Sequence, residues 1–174
     1  MAQVDIFILL CHCQWEKGGY QNRCNLDGNW YTMPVHQGIS GPGGRIIDKQ
    51  YINPLSAWSK IRTKLSRYDH ILNQLDSCIC DSLADTNEVI IRRLAHMAGI
   101  KTNIIRDVDT DLQGTSRLID LVLRAGGTTY LSGPSGKDYL DCSAFYRQRL
   151  EVQFFENKDK RHTLDVLYDC HPII

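Results

Sequence analysis

The side chains best placed to do chemistry lie in the stretch 128–141, TTYLSGPSGKDYLD. A β-branched and aromatic run at 128–131 has strand composition. It breaks at Ser132, because Pro134 lacks a backbone donor and Gly133 and Gly136 reach backbone angles that other residues avoid. Lys137 and Asp138 follow at once, and Asp141 is placed to cap a helix over 142–150. In open α/β sheets such a turn sits at the carboxyl end of a strand, where ligands bind, and its amides with Lys137 suit an anionic group. Gly133, Gly136 and Lys137 are more closely spaced than in the nucleotide-binding P-loop, whose glycines are separated by four residues. The pattern therefore supports a chain-reversing turn as readily as an anion site.

A second polar set lies near the start: Gln14, Glu16 and Lys17, then Asn22 and Arg23. These residues fall in or beside a turn and are able to converge on a site, although a solvated loop and one face of a hairpin account for them more simply. A third set lies on the helical pattern at 54–68. There Leu55, Trp58, Ile61, Leu65 and Tyr68 form one stripe, and Lys60, Lys64 and Arg67 face the other way with no acidic residue in the segment. Such a face is ordinarily just solvated, but it is also suited to the phosphates of a nucleotide or nucleic acid. Of the seven cysteines, the Cys-x-Cys pairs at 11 and 13 and at 78 and 80, with His12 and His171, lack the Cys-x-x-Cys knuckle of structural zinc sites. Thiols packed as small hydrophobes are the expectation, with no metal.

These groups need a scaffold, and the order of elements supplies one. A buried strand at 4–10 comes first, then two strands at 20–26 and 30–35 around Asp27-Gly28, a strong hairpin signal. Residues 36–44, with four glycines and a proline, form a mobile loop, and 45–48 reads as a further short strand. After the helix at 54–68, a second is expected over 71–83. A third starts at a capping box of Asp85 and Glu88 and stops at Gly99. A strand at 102–105, a polar loop at 107–114 and a helix at 115–125, with Leu118, Ile119, Val122 and Ala125 inward, lead through Gly126-Gly127 into the stretch described first. The alternation from 85 to 155 implies parallel crossovers. The expected fold is one α/β domain over 1–174, mainly parallel sheet, with an antiparallel hairpin at one edge and helices on both faces.

A chain of 174 residues can bury one proper core. Twenty basic and twenty acidic residues cancel, so any polyanion must be held by a local patch. The apolar run 6–10 is too short for a membrane span and has no basic region before it, so the protein is expected in the cytoplasm, without a membrane partner.

Thr115-Ser116-Arg117-Leu118-Ile119, then Gly126-Gly127, then the block from Tyr130 to Asp141 closely resembles the later signature of the WbqC-like protein family. Gln14-Trp15-Glu16-Lys17, Gln21-Asn22-Arg23 and the Trp30 strand ending at Met33-Pro34-Val35 are similar to its earlier signature. Gly99-Ile100-Lys101-Thr102 and Leu164-Asp165-Val166-Leu167-Tyr168-Asp169-Cys170 fit as well, so the resemblance spans nearly the whole chain. Family members usually carry an opening His-Gln-Pro-type motif and a later His-Pro-x-Tyr-type segment, which this chain lacks. Cys11-His12-Cys13 stands where acidic residues are common.

The resemblance implies an amino-acid transferase without a cofactor. It would attach a glycine-like amino acid to a phosphate-activated acceptor, either a phosphorylated hydroxymethyl-uracil base in viral DNA (thymidine hypermodification, in the host cytoplasm) or a nucleotide sugar in O-antigen or capsule assembly. In such a reaction Lys137, with Ser132, Gly133 and Gly136, would cradle the phosphate, and Arg23 or Arg117 would add a bidentate contact. Asp138 or Glu16 would orient or deprotonate the amine, and Gln14 and Asn22 would fix the substrate. Lys60, Lys64 and Arg67 would contact nucleic acid if the acceptor is DNA. The absent opening motif leaves a non-catalytic nucleotide- or sugar-binding module as a third reading.

Overall fold

A computed structural model describes residues 1–36, 44–156 and 161–170. The fold is mixed α/β. β1 (Ile6–Leu9) pairs in parallel with β4 (Asn103–Arg106), Ile6 opposite Asn103 and Leu9 opposite Arg106. β5 (Thr129–Ser132) pairs in parallel with β6 (Glu151–Phe154). β2 (Arg23–Leu26) and β3 (Asn29–Thr32) form the expected hairpin. Asp27 and Gly28 carry φ of 52° and 78°, the pair of positive angles that a two-residue turn needs to match strand twist. The strands therefore pair as three two-stranded units, two parallel and one antiparallel.

The helices include α1 (Pro54–Lys64), the short α2 (Asp69–Leu72), α3 (Leu83–Met97), α4 (Gly114–Arg124), α5 (Cys142–Arg147) and α6 (Thr163–Cys170). Three local expectations fail. The stretch 45–48 is no strand: Arg45 makes one isolated bridge with Gln14 and Ile46–Asp48 turns as a 3-10 helix, which frees the chain to enter α1. The helix expected over 71–83 breaks into α2 and a 3-10 turn at Asp76–Cys78: Ile71, Leu72 and Leu75 keep the spacing of one helix face and pack together, but Ile79 turns to the separate cluster around Trp15. The cap of α3 is Ser82, whose hydroxyl accepts from the Asp85 amide. Asp85 and Glu88 both turn outward to Arg106 instead. Asp141 does cap α5, accepting from the Ala144 amide, although the helix ends at Arg147.

Three apolar clusters hold the elements. Leu26, Leu65, Tyr68, Ile71, Leu72 and Leu75 pack with Leu164 and Leu167 of α6. Trp15, Met33, Val35, Tyr51, Ile79 and Leu83 join the end of the hairpin to α3. Ile119 and Val122 of α4 meet Phe145 and Leu150, with Tyr130 stacked on Phe145 at 5.3 Å, beneath the β5·β6 pair. Most of the expected glycine-rich loop at 36–44 lies outside the described residues. Among the described residues no helix is long and apolar enough to cross a membrane.

Candidate functional site

Parallel strands aim their last backbone groups at one edge, and both β1 and β4 end in residues able to do chemistry. After β1 come Cys11, His12 and Cys13; after β4 comes Asp107, whose side chain is wholly buried. A buried carboxylate must be compensated, and this one is. Its Oδ1 accepts from the Cys11 amide (2.9 Å), the His12 amide (3.2 Å) and His12 Nδ1 (2.8 Å), while Oδ2 accepts from Arg117 Nη2 (2.5 Å). The carboxylate offers only acceptors, so His12 Nδ1 carries its proton here, and in the neutral ring Nε2 keeps a lone pair. Arg117 reaches Asp107 from the first turns of α4, and its Nε is buried without a partner among the described residues.

The other side of the turn is closed by the chain after residue 44. Trp15 donates its amide to Gly44 O, Ile46 donates to Cys13 O and Ile47 donates to Cys11 O. Arg45 then binds Asp48 (3.0 Å) and Asp109 (2.5 Å), and these hydrogen bonds strengthen its hold on its proton and keep the Asp109 carboxyl below the ordinary carboxylate range. Burial pushes the thiols of Cys11 and Cys13 up, with Arg117 pulling Cys13 partly back. Cys11 is buried and Cys13 half-buried, which leaves the His12 ring, with Nδ1 on Asp107, as the group of the turn placed to move a proton.

The residues singled out from the sequence divide. Arg117 is in the cluster. Gln14 is at its border, bridging Arg45 through the backbone. Asn22 holds the hairpin, donating Nδ2 to Met33 O at 2.8 Å. Arg23 donates Nε to Gly19 O at 3.2 Å and lies 4.0 Å from the centroid of Trp30. Glu16, Lys137 and Asp138 are exposed, and the Lys137 ammonium lies 5.6 Å from the ring centre of Phe154. The turn after β5 is a 3-10 helix, Pro134–Asp138. Its Gly136 is buried so closely that a Cβ would come within 2.0 Å of Ser132 Oγ. Ser132, buried too, spends its hydroxyl on Gly133 O. Within the later signature, Thr115 Oγ1 of α4 accepts the Asp141 amide at 3.1 Å, and two residues on, Arg117 reaches out of that signature to Asp107.

Lys60 and Lys64 of α1 are exposed and line a cleft of about 420 Å³ with Trp30 and Tyr31, whereas Arg67 binds Asp27 and Asp165. This cleft shares no lining residue with the Asp107 cluster. Sequence reasoning passed over His12 as a zinc candidate and Asp107 as the start of a polar loop. The signal lay in their placement directly after short apolar strands, the same signal that drew attention to Lys137.

The family whose model matches is the WbqC-like protein family, over residues 1–163. Uncharacterized protein Rv1507c of Mycobacterium tuberculosis is 25% identical over 174 residues, covering 90% of this chain and 74% of that one. No solved structure matches.

Proposed function

The chain belongs to the WbqC-like protein family, and from that premise we propose that it is a transferase joining an amino acid to a phosphate-activated acceptor, with His12 as its base. The observation that carries the reading is the hydrogen bond of His12 Nδ1 to the buried Asp107 at 2.8 Å. It fixes the tautomer that presents a basic Nε2, and the half-buried ring keeps a path to substrate. The amine of a glycine-like amino acid attacks the carbon bearing the phosphate. The new C–N bond forms as the C–O bond breaks, the electron pair leaves with phosphate, and the amine proton passes to His12 Nε2. Asp107, itself held by Arg117, offsets the imidazolium that results.

In this reading Lys137, on the turn formed by Ser132, Gly133 and Gly136, neutralises the leaving phosphate, since the Gly136 amide is already spent on Gly133 O. The base is His12 in place of Asp138 or Glu16, whose carboxylates are exposed to water. What supports pairing the two groups is their like position: Asp107 follows the parallel strand β4 directly, and Lys137 lies in the turn that follows the parallel strand β5. The preferred acceptor is a phosphorylated hydroxymethyl-uracil base in DNA, and a nucleotide sugar is the alternative.

Incubation of phosphorylated hydroxymethyl-uracil DNA with glycine, followed by mass spectrometry of the nucleosides, tests the reading. A glycine adduct that releases one phosphate per turnover is expected, and His12→Ala should lower the rate about 10²–10⁴-fold. Adduct on a nucleotide sugar alone would move the acceptor. Binding of either compound without consumption, or an unimpaired His12→Ala, would refute the mechanism.

A further inference from the structure

Among the basic residues of α1 and the turn after it, only some are free to meet a ligand. Arg62 is tied to Asp69 and Asp76, and Arg67 to Asp27 and Asp165. Lys60 and Lys64 have no carboxylate within ion-pair distance among the described residues, and both line the 420 Å³ cleft. Four positions apart on one helix face, they are separated by about 6 Å along the axis, the order of the step between successive phosphates of a nucleic-acid strand. Across from them the cleft is lined by Trp30 and Tyr31 of β3, and Ile52 and Ile61 add apolar surface. Trp30 is 46% exposed although Tyr20 tilts against it at 5.4 Å and the Arg23 guanidinium lies over its ring. An indole half open to solvent, with one guanidinium over its ring and two uncompensated ammonium groups across the cleft, combines the two elements of sequence-tolerant strand binding: a stacking surface and a positive track.

We propose that this cleft holds single-stranded nucleic acid, with one base seated against Trp30 and consecutive phosphates on Lys60 and Lys64. A base fits its volume, whereas a duplex does not, because paired bases expose their edges and not their faces. The net charge of the chain is zero, so the attraction is local and depends on these two lysines. As a statement about binding the proposal stands apart from the transferase reading. As a statement that the acceptor is polymeric it rests on it.

Fluorescence anisotropy of a labelled oligothymidylate of about ten nucleotides tests it. Trp30→Ala should weaken binding at least about fivefold, the loss of one stacked base. Lys60→Gln with Lys64→Gln should lower the slope of log affinity against log salt by about 1.4, two single-strand phosphate contacts. Arg67→Gln, which removes an already paired charge, should leave the slope unchanged. The exposed lysine pair carries the test if Trp30→Ala loses its fold by circular dichroism. No oligonucleotide binding, equal binding of uridine monophosphate, equal binding of polyglutamate, or an equal effect of Arg67→Gln would each overturn the proposal. His12→Ala separates the two readings: it should keep oligonucleotide affinity whether or not it abolishes transfer. Transfer to DNA that survives loss of the two lysines would sink the cleft alone.

Discussion

Replacing Asp107 by Asn is the most demanding perturbation of the site, because the amide cannot satisfy the donors that the carboxylate does. If its oxygen stays toward Cys11 and His12, its NH2 faces Arg117 Nη2, donor against donor, where an oxygen now stands 2.5 Å away. The guanidinium then remains buried and unpaired, a loss of about 3–5 kcal/mol. If the amide flips, the Cys11 amide and the His12 ring proton lose their acceptor, at about 1–3 kcal/mol each. Both orientations thus cost about 3 kcal/mol, a large share of the 5–15 kcal/mol that typically holds a domain. With a urea m-value of about 1–3 kcal/mol/M, the unfolding midpoint should fall by the order of 1–3 M. Adding Arg117→Met, which removes the stranded charge, should return part of the loss, leaving the pair less than additive by about 0.5–3 kcal/mol. A loss under about 1 kcal/mol, or strict additivity with Arg117→Met, would show that the carboxylate does not hold the turn as described.

Further outcomes are expected. Gly136→Ala places a Cβ against Ser132 Oγ and Leu140, so thermal or urea unfolding should register a loss of about 1–3 kcal/mol; a neutral result would mean that the turn after β5 yields freely. Iodoacetamide at about pH 8 should label the exposed Cys80 and Cys170 well before Cys11, Cys13 and Cys24, whose thiols burial pushes up; peptide mass spectrometry showing Cys11 or Cys13 first would contradict their packing. His162 lies at the start of α6, where its Nδ1 accepts the Leu164 amide at 3.2 Å, and burial holds its pKa below the ordinary 6.5. The unfolded state therefore binds this proton first, so the stabilisation is complete above pH 6.5 and is lost as pH falls through the lower folded value. Urea titrations across that range should show the loss in the wild type and not in His162→Asn; a parallel decline in both would assign it elsewhere.

The elements easiest to read from the sequence were those where local chemistry and burial agree. Asp27-Gly28 forces the hairpin whatever surrounds it, and Asp141 caps α5 because its carboxylate has an amide within local reach. The helix expected over 71–83 failed because its residues answer to three neighbours: Ile71 and Leu72 to α6, Ile79 to the Trp15 cluster, and Asp76 to Trp58 and Arg62 on α1. The same distinction separates the site residues. Arg117 was legible as a conspicuous charge in a signature block, but its use is a contact ten residues back along the chain. Asp107 reads as one more acid among the polar residues of 107–114, and its burial depends on a turn at residues 11–13, which no local pattern connects to it.

That long reach governs how the chain is assembled. Cys11 and Asp107 are 96 residues apart, and the β1·β4 register is of similar span, so the first strand leaves the ribosome with no neighbour to receive its backbone groups. Until synthesis passes α4, its Ile-Phe-Ile-Leu edge is open to any strand it meets. The hairpin and α1 to α3 are able to gather on local contacts in the meantime, so nascent chains halted before residue 103 should be the sticky ones and those extended beyond 124 should not.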